Sequence, residues 1–481
     1  MSEAAHVDTK AADPAIITKV NIKSNKEGEI DVANGVSSFK FYESILQDSI
    51  RATIIFNDSG DSINEKTALD GLPIVGQEEV QLQFEDNNAK IIKINMYVNK
   101  VSPLLDESTK SMVQLDLVSK EHILNEKIRV AERFDGKVSD HIRKIYEEKT
   151  YFDNNSPQNA SADGSAEEVN SKELDIEETQ NNYNFIGNNR KPFYLLNWLS
   201  QKAVPAGGKG KTAGFLNYET SEGFYFKSID TLMDKEKNAP VKSLIYTNSP
   251  GEELPAGYDI RILEYEKDNR VNVDSKLRLG AYDTRIVTFN PFDCYYEVLT
   301  GSADNTKGAE ENAASAATQP IKHGGKELPV MNETFNRPGD KKNFSRTTYY
   351  YLDTGSLPDG TGEGQDQDQL KKSKDENFKY IDIVNQSIRR YNQLYTSKMT
   401  VTIPGDLSLH IGNSLFVDVP KSTKDDSDEV NKEDGGLYII VDLCHYFSSQ
   451  GTFTKLNLVR DSVGREGNHV RKEGSASAQS T

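Results

Sequence analysis

The chain has 481 residues, 57 Lys and Arg against 75 Asp and Glu, a net charge of −18 and 36% hydrophobic residues. That length allows about two to four domains with more than one core, and the acidity excludes the clustered cations of a nucleic-acid-binding protein. The only cysteines, Cys294 and Cys444, exclude a disulfide framework and fit folding in a reducing compartment.

Residues 1–14 are small and polar, and read as a flexible arm. The N-terminus, MSEAAHVDTKAADP, lacks a basic n-region and an apolar h-region. No secretory signal is therefore expected, and assembly in a cytoplasm follows. No apolar run approaches the ~20 residues that a bilayer span requires.

From 15 to about 125 the chain reads as β. Ile50, Ala52, Ile54 and Phe56 alternate with polar or outward positions, and Val80, Leu82 and Phe84 do the same. A period of two predicts half-buried antiparallel strands. Gly71, Pro73 and Gly76 set a turn into the second of these runs.

The middle region spans 126–300. Val138, Ile142 and Ile145 stand at helical spacing, with Ser139 or Asp140 as the cap. Residues 152–188 are rich in Asn, Ser, Ala and Glu and read as a long solvated loop, since they cannot bury enough surface to offset ordering entropy. Tyr194, Leu195, Trp198 and Leu199 share one face of a helix that Pro192 opens. A hairpin follows, turning at Ser221, Glu222 and Gly223, then a short helix. Strands are expected at 242–247, 257–267 and 281–300.

Residues 301–378 are polar and glycine-rich, a linker or exposed excursion. From 379 to 465 a helix, NFKYIDIVNQSIRRYNQLYTS, leads into about five short strands. Val401, Ile403, Leu407, Leu409 and Ile411 fall on one parity, as do Leu415, Val417 and Val419. Leu456 and Leu458 alternate in the last strand, with Arg460 at its end. Turns are marked at Pro404-Gly405-Asp406, Gly412-Asn413, Gly435-Gly436 and Gln450-Gly451. Residues 466–481 read as a flexible tail.

Catalytic signatures are absent: there is no GxGxxG opening a helix, no HExxH and no GxSxG. PAGGKGKT, 205–212, approaches a phosphate-binding loop, but Pro205 replaces the first glycine and no apolar strand leads in. The seven histidines are scattered. Cys444 and His445 are adjacent in a strand and so face opposite ways, which predicts a buried Cys beside an edge His. Glu167-Glu168 and Asp425-Asp426 lie in charge runs too polar to hold glycosidase geometry. The acidic stretch from Asp425 to Asp434 departs from EF-hand spacing and reads as a solvated hairpin tip. Trp198, the only tryptophan, is expected in a core. No catalytic, cofactor or metal residue is assigned, and no enzyme activity or cofactor is expected.

Three stretches carry a family resemblance. FKFYESILQDSIRATIIFNDSG…LPIVGQEEVQLQF resembles the first tube-like barrel of the baseplate hub proteins of contractile-tailed phages. LNWLSQKA…FLNYETSEGFYFKSIDTL resembles the α/β middle region that those hubs share with type VI secretion spikes. PGDLSLHIGNSLFVDVP with GGLYIIVDLCHYF and FTKLNLVRD resembles the C-terminal hub barrel. The departure is the extra acidic segments, which leave peripheral contacts open.

The resemblance implies an α+β, mainly β chain: two tube-type antiparallel β-barrels, 15–125 and 379–465, flanking an α/β middle. It further implies a structural baseplate hub, a homotrimer joining the hexameric tail tube to the trimeric central spike. Tube-initiator and neighbouring baseplate proteins would be partners, and DNA would pass through the channel at ejection. The place would be the virion tail, with assembly in the host cytoplasm. A type VI secretion-like spike component and a tail-associated cell-wall hydrolase are the alternatives.

Overall fold

The computed structural model describes residues 16–460, leaving aside 59–70, 155–171, 303–321, 328–343, 352–379 and 420–433, and shorter gaps at 27, 73, 108–109, 207–211, 235, 247–253, 255–256, 269–272, 281–282, 291–294, 324–325, 396 and 449–450. The chain is mainly β with a smaller α/β region, as its alternating sequence predicts.

The first module contains β1 (Ile16–Lys23), β2 (Glu29–Asp31), β3 (Val36–Ser44), β4 (Arg51–Asp58), β5 (Glu79–Glu85), β6 (Ile91–Glu107) and β7 (Lys110–Val118). Its inward faces carry the alternation read from sequence: Ala52, Ile54 and Phe56 on β4 and Val80, Leu82 and Phe84 on β5 are all buried. Phe39, Phe41, Met96 and Leu115 close the same core.

The middle region begins with α1 (Lys120–Lys127), β8 (Arg133–Phe134) and α2 (Val138–Glu147). Val138, Ile142 and Ile145 are buried on α2. Its N-cap is Lys137, without a side-chain cap, so Ser139 and Asp140 lie inside the helix. Next come β9 (Glu173–Ile176), β10 (Phe185–Ile186), α3 (Pro192–Ser200), β11 (Phe215–Glu219), β12 (Gly223–Ser228) and α4 (Ile229–Leu232).

The polar segment 152–188 departs from the loop expectation at both flanks. Phe152, Tyr183 and Phe185 are buried in the middle core. β9 pairs in parallel with β12. Few aromatic anchors suffice to order a polar stretch when a strand edge is at hand; residues 155–171 lie outside the described ones. On α3 the buried residues are Phe193, Leu195, Leu196 and Leu199, while Tyr194 is exposed.

Beyond these lie β13 (Lys242–Ile245), β14 (Ile260–Arg261), β15 (Glu264–Asp268), α5 (Val273–Leu279), β16 (Asp283–Asn290), β17 (Tyr295–Ser302), β18 (Lys322–His323), β19 (Lys326–Glu327) and β20 (Arg346–Tyr351). The single strand expected over 281–300 is thus two paired strands, and β20 adds to β16 in parallel. Most of 301–378 lies outside the described residues. Finally α6 (Tyr380–Leu394) leads into β21 (Ser397–Pro404), β22 (Ser414–Asp418), β23 (Gly436–Ser448) and β24 (Gly451–Arg460).

Five strands of each module share one order. In the first, β5-β6-β7-β4-β3 run side by side, and in the second, β22-β23-β24-β21-β15 do. Both read third, fourth, fifth, second, first along the chain, with every pair antiparallel. A register irregularity also recurs at the matching place, between Val98 and Lys100 on β6 and between Ile440 and Asp442 on β23. The second module therefore takes its first strand from 264–268, far upstream of 379.

Among the described residues, no ladder closes either module on itself. The β3 edge pairs with β23, which joins both into one 14-stranded sheet. β23 carries two strands on the same edge: β22 along 436–439 and β3 along 442–448.

Candidate functional site: the seam between the modules

The β3–β23 seam brings residues some 400 positions apart into register. Glu43 lies opposite Leu443, Phe41 opposite His445, and Phe39 opposite Phe447. All six point inward, because their strands keep one parity. Phe39 and Phe447 stack with centroids 5.3 Å apart, and Phe84 meets Phe39 edge-on at 4.8 Å.

Glu43 is almost fully buried, a position that requires partners for both carboxylate oxygens. Its Oε1 accepts from the Ser221 N–H at 2.8 Å and lies 3.2 Å from His410 Nδ1. Its Oε2 accepts from the Ile411 N–H at 3.2 Å. His410 Nε2 in turn stands 3.4 Å from Glu222 Oε1, which Lys90 also approaches at 3.3 Å. The first module, the β11–β12 turn and the second module thus meet on one carboxylate.

Burial works against charge on Glu43, yet His410 and the Ser221 N–H hold its carboxyl below the usual range. Burial likewise disfavours charged His410, but the Glu43 and Glu222 carboxylates outweigh it and lift the imidazole to about 10. The His410 hydrogen bond and charge pull Glu222 down to about 2. A buried imidazolium between two carboxylates results.

Two further buried clusters lock the middle region in place. Glu219 Oε2 accepts from the Ile50 N–H at 3.2 Å and the Ser119 hydroxyl at 2.9 Å. Lys172 pairs with its other oxygen and lies 3.7 Å from Glu121. Burial, relieved only in part by Lys172, raises the Glu219 carboxyl. On the far side, Arg390 of α6 donates to Asp230 of α4 at 3.0 Å, both nearly fully buried, and the Thr212 hydroxyl donates to the same carboxylate at 2.8 Å. A third link, the Leu407 N–H to Asp86 Oδ2 at 2.8 Å, again crosses from second module to first.

The outer face of the seam is polar. Ser44 donates to Asp442, and a cleft of about 420 Å³ is lined by Tyr42, Gln47, Arg51, Cys444, Lys455 and Asn457.

The Cys444-His445 expectation is reversed. His445 is fully buried, with Nδ1 2.9 Å from the Thr454 hydroxyl, and burial drives its pKa down to about 3. Cys444 is the half-buried neighbour on the cleft side. The parity signal was present, since His445 shares its face with Leu443 and Phe447. Trp198 packs against the middle core, edge-on to Tyr183 and Phe185, with Lys202 Nζ 3.6 Å above its ring.

Of PAGGKGKT, Pro205 bridges Thr179 and Thr212 is tied to Asp230; 207–211 lie outside the described residues, as do Glu167, Glu168, Asp425 and Asp426. Among the described residues no group of three or more His, Cys, Asp or Glu could hold a metal ion. No described helix is long and apolar enough to cross a membrane. The Glu43–His410–Glu222 cluster escaped sequence reading because no short spacing links its members.

No protein-family model and no curated protein matches the chain. Solved structures do. The tail protein from Neisseria meningitidis MC58 is 11% identical, with 92% of this chain and 97% of that one covered and a TM-score of 0.44. The 43 kDa tail protein of prophage MuSo2 from Shewanella oneidensis is 10% identical over 92% and 98%, with a TM-score of 0.45. An E. coli component of the type VI secretion system is 9% identical over 88% and 73%, with a TM-score of 0.38. Among the solved structures that this chain is similar to are thus two tail proteins, one of them from a prophage, and a type VI secretion component.

Proposed function

We propose that the chain is a structural protein of a contractile phage tail, the central baseplate hub. In this reading three copies form a ring, and the two modules of each copy supply six quasi-equivalent positions on which a hexameric tube stacks. The other face keeps threefold symmetry for the central spike, and DNA passes through the ring at ejection. The chain does no chemistry, resides in the virion tail, and is assembled in the host cytoplasm. Domain limits at 15–125 and 379–465, with 264–268 added to the latter, belong to the same proposal.

The observation that carries it is the repeated strand order, fused edge to edge at β3–β23. A structure built to present one surface twice, at a fixed angle, is what matching six to three demands. The buried Glu43–His410 pair at the seam favours this over a flexible tandem, since it fixes how one module sits on the other. The sequence resemblance of both modules and of the hairpin region supports it independently.

Sedimentation of the purified full chain tests the reading, together with negative-stain imaging. A trimer with a threefold ring is expected. A monomer at about 50 µM would overturn it, since obligate assemblies form at such concentrations.

A further inference from the structure

The repeat has an unfilled position. In the second module, β23 holds β22 on one edge along 436–439, and β3 continues that edge along 442–448. Its counterpart β6 holds β5 on the corresponding edge along 91–97. Beyond that point, among the described residues, no strand continues the edge. The counterpart of β3 is β15, which pairs with β21 and, among the described residues, with no other strand. Among the described residues, one chain therefore offers a half-strand without a partner and a strand without a second partner.

Both unfilled elements carry apolar side chains in solvent. Leu104 and Leu105 on β6 are 48% and 43% exposed, and Leu263 and Tyr265 at β15 are 42% and 37% exposed. Open edges with exposed apolar residues are liabilities that proteins blunt unless they are used.

We propose that β15 of one copy adds to the free half of β6 in a second copy, reproducing between chains the seam that β3 and β23 make within one. The occupant is a second copy of this chain because the missing strand in each module is the one the other module supplies. The inference rests on the ring reading and names its interface. The contact is head-to-tail: the donor edge and acceptor edge are different surfaces, so successive copies form a ring when the turn closes. Strand addition of this kind uses main-chain bonds for affinity and alternate side chains for register.

Register follows from the shared irregularity. With Val98 matched to Ile440 and Lys100 to Asp442, Pro103 stands where His445 does. Through β4 and β21, Phe41 corresponds to Lys267. Since His445 faces Phe41, Lys267 faces Pro103 of the second copy, which brings Tyr265 beside the Leu104–Leu105 pair. Pro103 has no N–H to give, so side chains contribute more to this seam than to the internal one.

The test uses the full chain with Cys294→Ser and Cys444→Ser, adding Pro103→Cys and Lys267→Cys. Mild oxidation should give covalent dimers and trimers on a non-reducing gel. Either cysteine alone should give none, as should Lys93→Cys with Lys267→Cys, because Lys93 lies in the half of β6 that β5 already holds. Leu104→Lys with Leu105→Lys, both exposed in one chain, should keep the circular dichroism melt and weaken association about tenfold or more. A parent that sediments as a trimer, yet neither crosslinks nor responds to the leucine changes, overturns the β15–β6 interface while leaving the hub reading intact. A monomeric parent overturns both.

Discussion

Glu43 is an unusual residue to find inward on a β-strand, and its cost is met by three separate donors. Glu43→Gln leaves His410 buried without a counter-charge on that side and should lower stability by roughly 3–5 kcal/mol, read from chemical denaturation. The pH dependence follows from His410. Its folded pKa of about 10 stands above the ordinary 6.5, so its contribution is full below pH 6.5 and is lost as pH rises toward 10. The thermal midpoint should therefore fall across that window, and His410→Gln should flatten the fall. A wild-type midpoint that stays level from pH 6.5 to 10 would count against the buried imidazolium. At acid pH the order reverses: His445, held neutral to about 3, opposes folding increasingly as pH drops from 6.5 toward 3. Parity along β23 set Cys444 and His445 on opposite faces, and Leu443 and Phe447 marked the His445 face as apolar, but parity does not name the strand that covers it. That strand is β3, which lies some 400 residues away.

At the level of elements, most strands of both modules were readable from a period of two, because each has one buried face. Leu458 is fully buried in the second core, inward on β24 between β21 and β23. Leu458→Asp should unfold that module, and the far-UV spectrum should lose strand signal while any trimer dissociates. β9 and β20 were missed for a different reason: ELDI and RTTYYY sit in polar surroundings and gain order by adding to an existing edge. The β9 addition is sensitive to one atom. A Cβ on Gly223 would stand 2.3 Å from the Glu173 carbonyl oxygen, so Gly223→Ala should prise β9 from β12. Trp198, the only tryptophan, packs in that region's core and should report the loosening as a shift in fluorescence.

Over the whole molecule, the sequence disclosed two β modules around an α/β centre but not their fusion. Neither β3 nor β23 differs from other strands in its own residues, so their pairing is legible only once both modules have been folded. The net charge of −18 bears on what passes through an assembled ring. Duplex DNA should not be retained by the purified protein at about 150 mM salt, since a net negative chain repels phosphate and has little counterion release to gain. A gel shift that persists under those conditions would contradict a channel built for passage.

β23 holds both β22 and β3 along one edge, with β24 along the other. This makes it a load path. A pull that separates the modules loads the β3 ladder along residues 442–448 of β23 together with the Glu43–His410 and Leu407–Asp86 links, and the ladder bonds are loaded in shear when tension runs along β23. In the proposed hub role, tail contraction would place sudden axial force on this strand. A chain tethered through its two modules should therefore resist stretching in an optical trap up to a single rip, instead of yielding one module at a time.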